Sequence, residues 1–131
     1  MMRKKELSES VKTLSFESEI RVRFNETDLL GIVRHGNYIG YFEEGREAFG
    51  REYGISYSDV KRHGYSVPIV KSSCAHKLPL TYGETAIIKT TFVNTAAAKM
   101  IFKYDMRNTA GRTVCTGETV QVFGIKRAKC A

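Results

Sequence analysis

Hydrophobic and polar positions change their period twice along this chain. From Phe16 the period is two: Phe16, Ser18, Ile20, Val22 and Phe24 share one face, and Glu17, Glu19, Arg21 and Arg23 the other. That alternation predicts a half-buried strand. It ends near Asn25, where Glu26, Thr27 and Asp28 begin a turn. After a loop holding Gly31 and Gly36, the period lengthens to three or four. Tyr38, Phe42, Gly45, Phe49 and Tyr53 form one stripe, widened by Tyr41 and Ala48, while Glu43, Glu44, Glu47, Arg51 and Glu52 mostly fall elsewhere. This predicts an amphipathic helix, with Asn37 as its N-cap and Gly54 as the residue that ends it. Interior glycines at 40, 45 and 50 each cost roughly 1 kcal/mol against Ala. A sheet packed close against the helix is expected to offset that cost.

Residues 55–67 read as a connection with a short helix near Ser58–His63. From Pro68 the period returns to two, with strands near 68–78, 84–95, 99–108 and 112–124. Leu78–Glu84, Thr95–Ala98 and Asn108–Gly111 are the expected turns between them. Residues 1–14 read as a frayed polar lead-in, 15–124 as one domain and 125–131 as a basic tail. One helix cannot cover both faces of five strands, but it fills one face if the sheet curls round it. The expected class is therefore α+β, a five-stranded antiparallel sheet wrapped round one long helix.

A length of 131 residues suits one domain. At this size a broad apolar sheet face calls for a partner subunit. The formal net charge is +7, which favours anionic partners. However, Arg3, Lys4, Lys5, Lys126, Arg127 and Lys129 supply six of the 21 basic residues, leaving 15 against 14 acids. The body is nearly balanced, so nucleic acid is not an expected partner. No run approaches the roughly 18 apolar residues of a membrane span, and no apolar stretch follows Met1–Lys5 as in a secretory signal. Cys74, Cys115 and Cys130 form no CxxC pair and show no zinc spacing. Reduced thiols in a cytoplasmic protein are expected, with no metal site.

Two features carry candidate chemistry. Asp28 is a carboxylate at a strand end, which is either reactive or a turn residue. The helix start offers free N–H donors and the positive end of a dipole. Asp28, Gly31, Ile32, Val33, His35, Asn37, Tyr38, Phe42, Glu43 and Arg46 together resemble the signature of hotdog-fold acyl-CoA thioesterases of the 4-hydroxybenzoyl-CoA thioesterase type. Leu78–Glu84 looks like that family's turn between its second and third strands. The resemblance covers about residues 16–124. It departs at Gly45, where the family usually has Ala, and at Arg34, a position often aromatic or His.

The resemblance implies a hotdog fold, a homodimer with a continuous ten-stranded sheet, often a dimer of dimers, and active sites at the interface. It implies acyl-CoA substrates, with coenzyme A part of the substrate and no separate cofactor. Asp28 is then a general base or a direct nucleophile. The main oxyanion donor is the backbone N–H of His35, with Gly36 nearby. The His35 ring is a second catalytic candidate. Gly31, Val33, Gly36, Asn37 and Tyr38 are expected to line the substrate. Lys71 and Lys77, with Arg34, Lys99 and Lys103 behind them, are candidates for the coenzyme A phosphates. His63 and His76 read as surface or strand residues and Cys74 as a buried spectator. Phe49, Tyr53 and Tyr57 are candidates to close a short acyl pocket. Acyl carrier protein as the thiol carrier, a non-catalytic acyl-thioester binder and a hydratase remain as alternatives. The last is disfavoured, because Asp28 and His35 stand seven apart rather than five.

Overall fold

A computed structural model describes residues 13–93, 99–122 and 124–125. The expected lead-in up to residue 12, the Thr95–Ala98 turn and the tail from Lys126 lie outside the described residues. In chain order the elements are β1 (Thr13–Arg21), a 3-10 turn (Phe24–Glu26), α1 (Asn37–Tyr53), α2 (Tyr57–Arg62), β2 (Tyr65–Ser66), β3 (Ile69–His76), β4 (Thr85–Val93), β5 (Lys99–Arg107), β6 (Thr113–Val122) and β7 (Gly124–Ile125). Five strands form one sheet in the order β1-β4-β5-β6-β3, every neighbour antiparallel, and β2 pairs with β7 apart from it. The expected α+β arrangement is the one found.

β1 starts at Thr13, earlier than the alternation suggests, and stops at Arg21. Phe24, expected on the buried face, lies in the 3-10 turn and is 75% exposed. The reason is local. The backbone N–H and guanidinium of Arg23 both donate to the Glu26 carboxylate, at 2.9 and 2.7 Å, and close the chain into a turn. Ser56 caps α2 through a reciprocal pair with Asp59, and the helix begins at Tyr57, one residue before the expected start.

The core lies between α1 and the sheet. Tyr38, Tyr41, Phe42, Gly45, Ala48, Phe49 and Gly50 are the buried residues of α1. Tyr53 is not among them: it is 41% exposed and its hydroxyl donates to the Ser15 carbonyl at 2.9 Å. β5 sends Met100, Phe102, Tyr104 and Met106 inward. The inward half of β6 is Cys115, Gly117, Thr119 and Gln121, opposite the more apolar Val120 and Val122. Room decides this choice. Phe42 stacks on Tyr104 with ring centroids 4.5 Å apart and nearly parallel planes, and a Cβ at Gly117 would fall on the Phe42 ring. The helical glycines divide. Gly45 meets the sheet, where an added Cβ would stand 2.7 Å from Thr90 Oγ1, whereas Gly50 meets the backbone of Ile55 and Ser56 and Gly40 meets nothing. Close approach of the sheet therefore explains one of the three.

Gly117→Ala should destabilise the protein by about 1–3 kcal/mol, the usual cost of overpacking a filled core. Urea unfolding would measure it, and an unchanged midpoint would show that Phe42 has space to move.

Candidate active site

The Asp28 turn is assembled by backbone hydrogen bonds. Asp28 N–H donates to the Ile32 carbonyl at 2.9 Å, and Gly31 N–H to the Asp28 carbonyl at 3.0 Å. Gly31 has φ +76, a left-handed conformation that a glycine takes without steric cost. The Asp28 side chain is divided in its duties. Oδ1 accepts from the N–H groups of Leu30 and Ile32, at 2.9 and 3.1 Å. Oδ2 has no partner among the described residues, and the residue is exposed.

Glu26 ties this turn to the start of α1. Its carbonyl accepts from Arg34 N–H and from Asn37 Nδ2, both at 3.0 Å. Its carboxylate accepts from the Tyr41 hydroxyl at 2.7 Å as well as from Arg23. Burial would raise the Glu26 carboxyl, but the Arg23 N–H, the Tyr41 hydroxyl and the Arg23 guanidinium together hold it below its ordinary value. Burial, and then the hydrogen bond to that carboxylate, push the Tyr41 hydroxyl up. Asn37 is thus not the expected N-cap. Gly36 occupies that position without a side-chain bond, and Asn37 is the first helical residue. Asn37 N–H donates to Arg34 O and Tyr38 N–H to His35 O. Among the described residues the N–H groups of His35 and Gly36 have no partner, so two donors stay free at the positive end of α1.

The loop is backed by the Leu78–Glu84 turn. Val33 N–H donates to Leu80 O, Tyr82 N–H to Gly31 O, and Ile32 bridges Thr81. Val33 and Tyr38 are buried, so they shape the loop from beneath. Leu29 and Leu30 are fully to largely exposed beside Asp28, and Phe24 packs edge-on to exposed Tyr82. This is an apolar rim on one side of the carboxylate.

His76 is an exposed strand residue, as expected, and it also belongs to this neighbourhood. Its ring stacks on that of His35 with centroids 4.1 Å apart, and meets Tyr38 edge-on at 4.8 Å. Burial, then the nearby His35, lower its pKa. Cys74, expected to be a buried spectator, is only half-buried. Its Sγ stands 3.0 Å from Cys115 Sγ and 3.9 Å from His76 Nδ1. A local motif search misses this group because only the pairing of β3 with β6 brings Cys74 and His76 to Cys115. The cations separate too. Arg34 is exposed within the loop itself. Lys71, Lys99 and Lys103 alternate with inward-facing residues and so occupy the outer sheet face, away from His35. Lys77 is exposed at the end of β3.

A cavity of about 410 Å³ opens between α1, the 55–67 connection and β5–β6. Its walls include Glu43, Arg46, Tyr57, Phe102 and Gln121. Of the expected pocket-closing aromatics only Tyr57 lines it, and none of Asp28, Gly31, His35 or Asn37 does. Arg46 donates to the Tyr104 hydroxyl at 3.2 Å, which pairs with Thr119 at 2.7 Å.

The family model of the thioesterase-like superfamily matches residues 22–128. A Bacillus subtilis protein, "Putative acyl-CoA thioesterase YneP", is 40% identical over 95 residues, which is 72% of this chain and 69% of that one. Among solved structures, the DHNA-CoA thioesterase from Staphylococcus aureus superposes with a TM-score of 0.79 at 28% identity, covering 86% of this chain and 75% of that one. The 4-hydroxybenzoyl CoA thioesterase from Pseudomonas sp. strain CBS-3 superposes with a TM-score of 0.77 at 19% identity.

 That superposition covers 88% of each chain, and at this identity the likeness concerns the fold alone. It is the hotdog fold expected from the sequence. Among the described residues no helix is long and apolar enough to cross a membrane.

Because the folded pKa of Glu26 lies below its ordinary 4.5, its contribution is complete above that value and is lost as pH falls through the folded pKa. Glu26→Gln should cost about 1–3 kcal/mol at neutral pH, the range for losing charge-assisted hydrogen bonds. The difference from wild type should shrink below about pH 4. Thermal unfolding from pH 3 to 7 would check both; a pH-independent difference would remove the carboxylate from this role.

Proposed function

Because the chain belongs to the thioesterase-like superfamily, we infer that it is an acyl-CoA thioesterase working through the Asp28 turn and the start of α1. One observation carries the mechanism. Among the described residues, Asp28 has one oxygen fixed by the turn and one free, and Glu26 ties that turn to a helix start with unpaired N–H groups. The free Oδ2 removes a proton from water as the water oxygen adds to the thioester carbonyl. Alternatively it adds directly, giving a mixed anhydride that water then hydrolyses. On either route the charge on the carbonyl oxygen is met by the N–H groups of His35 and Gly36. The C–S bond then breaks, and coenzyme A leaves as a thiolate that takes up a proton.

Gly31, Val33, Asn37 and Tyr38 hold the loop that receives the reacting end. The His35 ring, stacked on His76, flanks it. Arg34, exposed in the same loop, is the first cation for the phosphates, with Lys77 second; Lys71 would serve only a ligand that reaches the outer face. Acyl carrier protein presents the same pantetheine arm and remains the second reading. Free thiols at Cys74 and Cys115 suit a reducing, cytoplasmic setting.

The assembly we propose is a homodimer joined along β3, with the option of a dimer of dimers. β3 is a sheet edge of eight residues, nearly all exposed. Such an edge is a template for another strand, and pairing with its symmetry mate would give ten continuous strands. The apolar rim of Leu29, Leu30, Phe24 and Tyr82 would gain cover near the same contact.

Asp28→Asn keeps an Oδ1 acceptor for Leu30 and Ile32 but exchanges the free oxygen for an amide. Turnover should fall by about 10²–10⁴-fold, the usual worth of a general base, with thermal stability near wild type. Thiol release from short, long and aromatic acyl-CoAs measures it, and a fully active variant would exclude Asp28. Sedimentation velocity should give a dimer or a multiple of one; a monomer at micromolar concentration would rule out the β3 interface.

A further inference from the structure

Three side chains converge beside the helix start with no task in thioester hydrolysis. Cys74 and His76 share the inward face of β3, and Cys115 faces them from β6. His76 stands directly opposite Cys115, and Cys74 stands opposite Gly117. With no side chain across from it, the Cys74 thiol turns diagonally to Cys115, 3.0 Å away. The ligand atoms of all three lie within 4.8 Å of one another.

We propose that Cys74, His76 and Cys115 form a three-ligand site for a soft divalent cation of the zinc class, with the fourth position open to water. A tetrahedral zinc, with Zn–S about 2.3 Å and Zn–N about 2.0–2.1 Å, sets two sulfurs ~3.8 Å apart and sulfur ~3.6 Å from nitrogen. The present separations are 3.0 Å between the sulfurs and 3.9 Å from Cys74 Sγ to His76 Nδ1. The first must lengthen by about 0.8 Å and the second shorten by about 0.3 Å to meet the tetrahedral values, changes on the scale of side-chain rotation.

Charge and access also fit. Two thiolates neutralise a dication and the imidazole remains neutral, so the complex carries no net charge into the floor formed by fully buried Cys115. In the single chain, exposed His76 and half-buried Cys74 leave a way in from solvent before the β3 edge pairs with a second copy. The His76 ring is held between His35 and Tyr38, which fixes its plane. Binding displaces one proton from each thiol, so two protons leave for each ion bound and affinity weakens as pH is lowered. The site rests on these three side chains and does not depend on the thioesterase reading.

The test uses the full chain, reduced and metal-free, titrated with zinc against a chromophoric chelator and in parallel with cobalt(II). One ion per chain is expected, with about two protons released and a thiolate-to-cobalt charge-transfer band. Cys74→Ser and His76→Ala should each weaken zinc binding by about a hundredfold or more, beyond the ~10–100-fold of an outer-shell change. Cys130→Ser, a cysteine outside the trio, should leave binding unchanged. Far-ultraviolet circular dichroism confirms that the variants are folded. No uptake by the reduced protein, a cobalt spectrum without the charge-transfer band, or uptake unaffected by Cys74→Ser would overturn the site. So would loss of binding in Cys130→Ser, or a Cys74–Cys115 disulfide recovered in place of metal uptake.

Discussion

Glu26 holds three parts of the chain at one point. Its carbonyl receives the Arg34 N–H and the Asn37 amide, and its carboxylate receives Tyr41 and Arg23. The end of β1, the Asp28 turn and the first turns of α1 are therefore positioned by one residue. Covering a carboxylate is costly unless its oxygens find donors, and here charge-assisted bonds supply them. The geometry between the free oxygen of Asp28 and the unpaired N–H groups of the helix start follows from this junction. A substitution at Glu26 acts on the site without touching it.

The second constraint is the distance between α1 and the sheet. Phe42 lies flat on Tyr104 and over Gly117, and Gly45 is pressed against Thr90. The helix is close enough that small residues are needed on both sides. The inner face of β6 is consequently narrow and partly polar, with Thr119 satisfied by the Tyr104 hydroxyl. The larger Val120 and Val122 take the outer face.

Most of this architecture is legible in the sequence because it is periodic. The α1 stripe and the β5 alternation each point one way. β6 is different, since either half of its alternation could face inward, and only the bulk of Phe42 settles which. Asn37 is a fair N-cap by residue type, but the Glu26 carbonyl claims its side chain. The two readings of Asp28, turn residue or reactive carboxylate, prove compatible, because the two oxygens divide the duties. His76 and Cys74 could not be placed beside His35 and Cys115 from local sequence, because a strand register joins them across the sheet. Lys71 depended on strand phase, which shifts at the irregularity between Ile69 and Lys71.

The contact of Phe42 with Gly117 joins positions 75 residues apart in the numbering. During synthesis at about 5–20 residues per second, β6 follows α1 by roughly 4–15 s. For most of that interval the aromatic stripe of α1 has neither β5 nor β6 to cover it. Native pairing must also wait for long loops to close, which makes folding slow relative to a helical bundle of this size. The nascent chain thus passes through a sticky stage that the finished fold conceals, and a chaperone that binds exposed aromatic helices would meet it there.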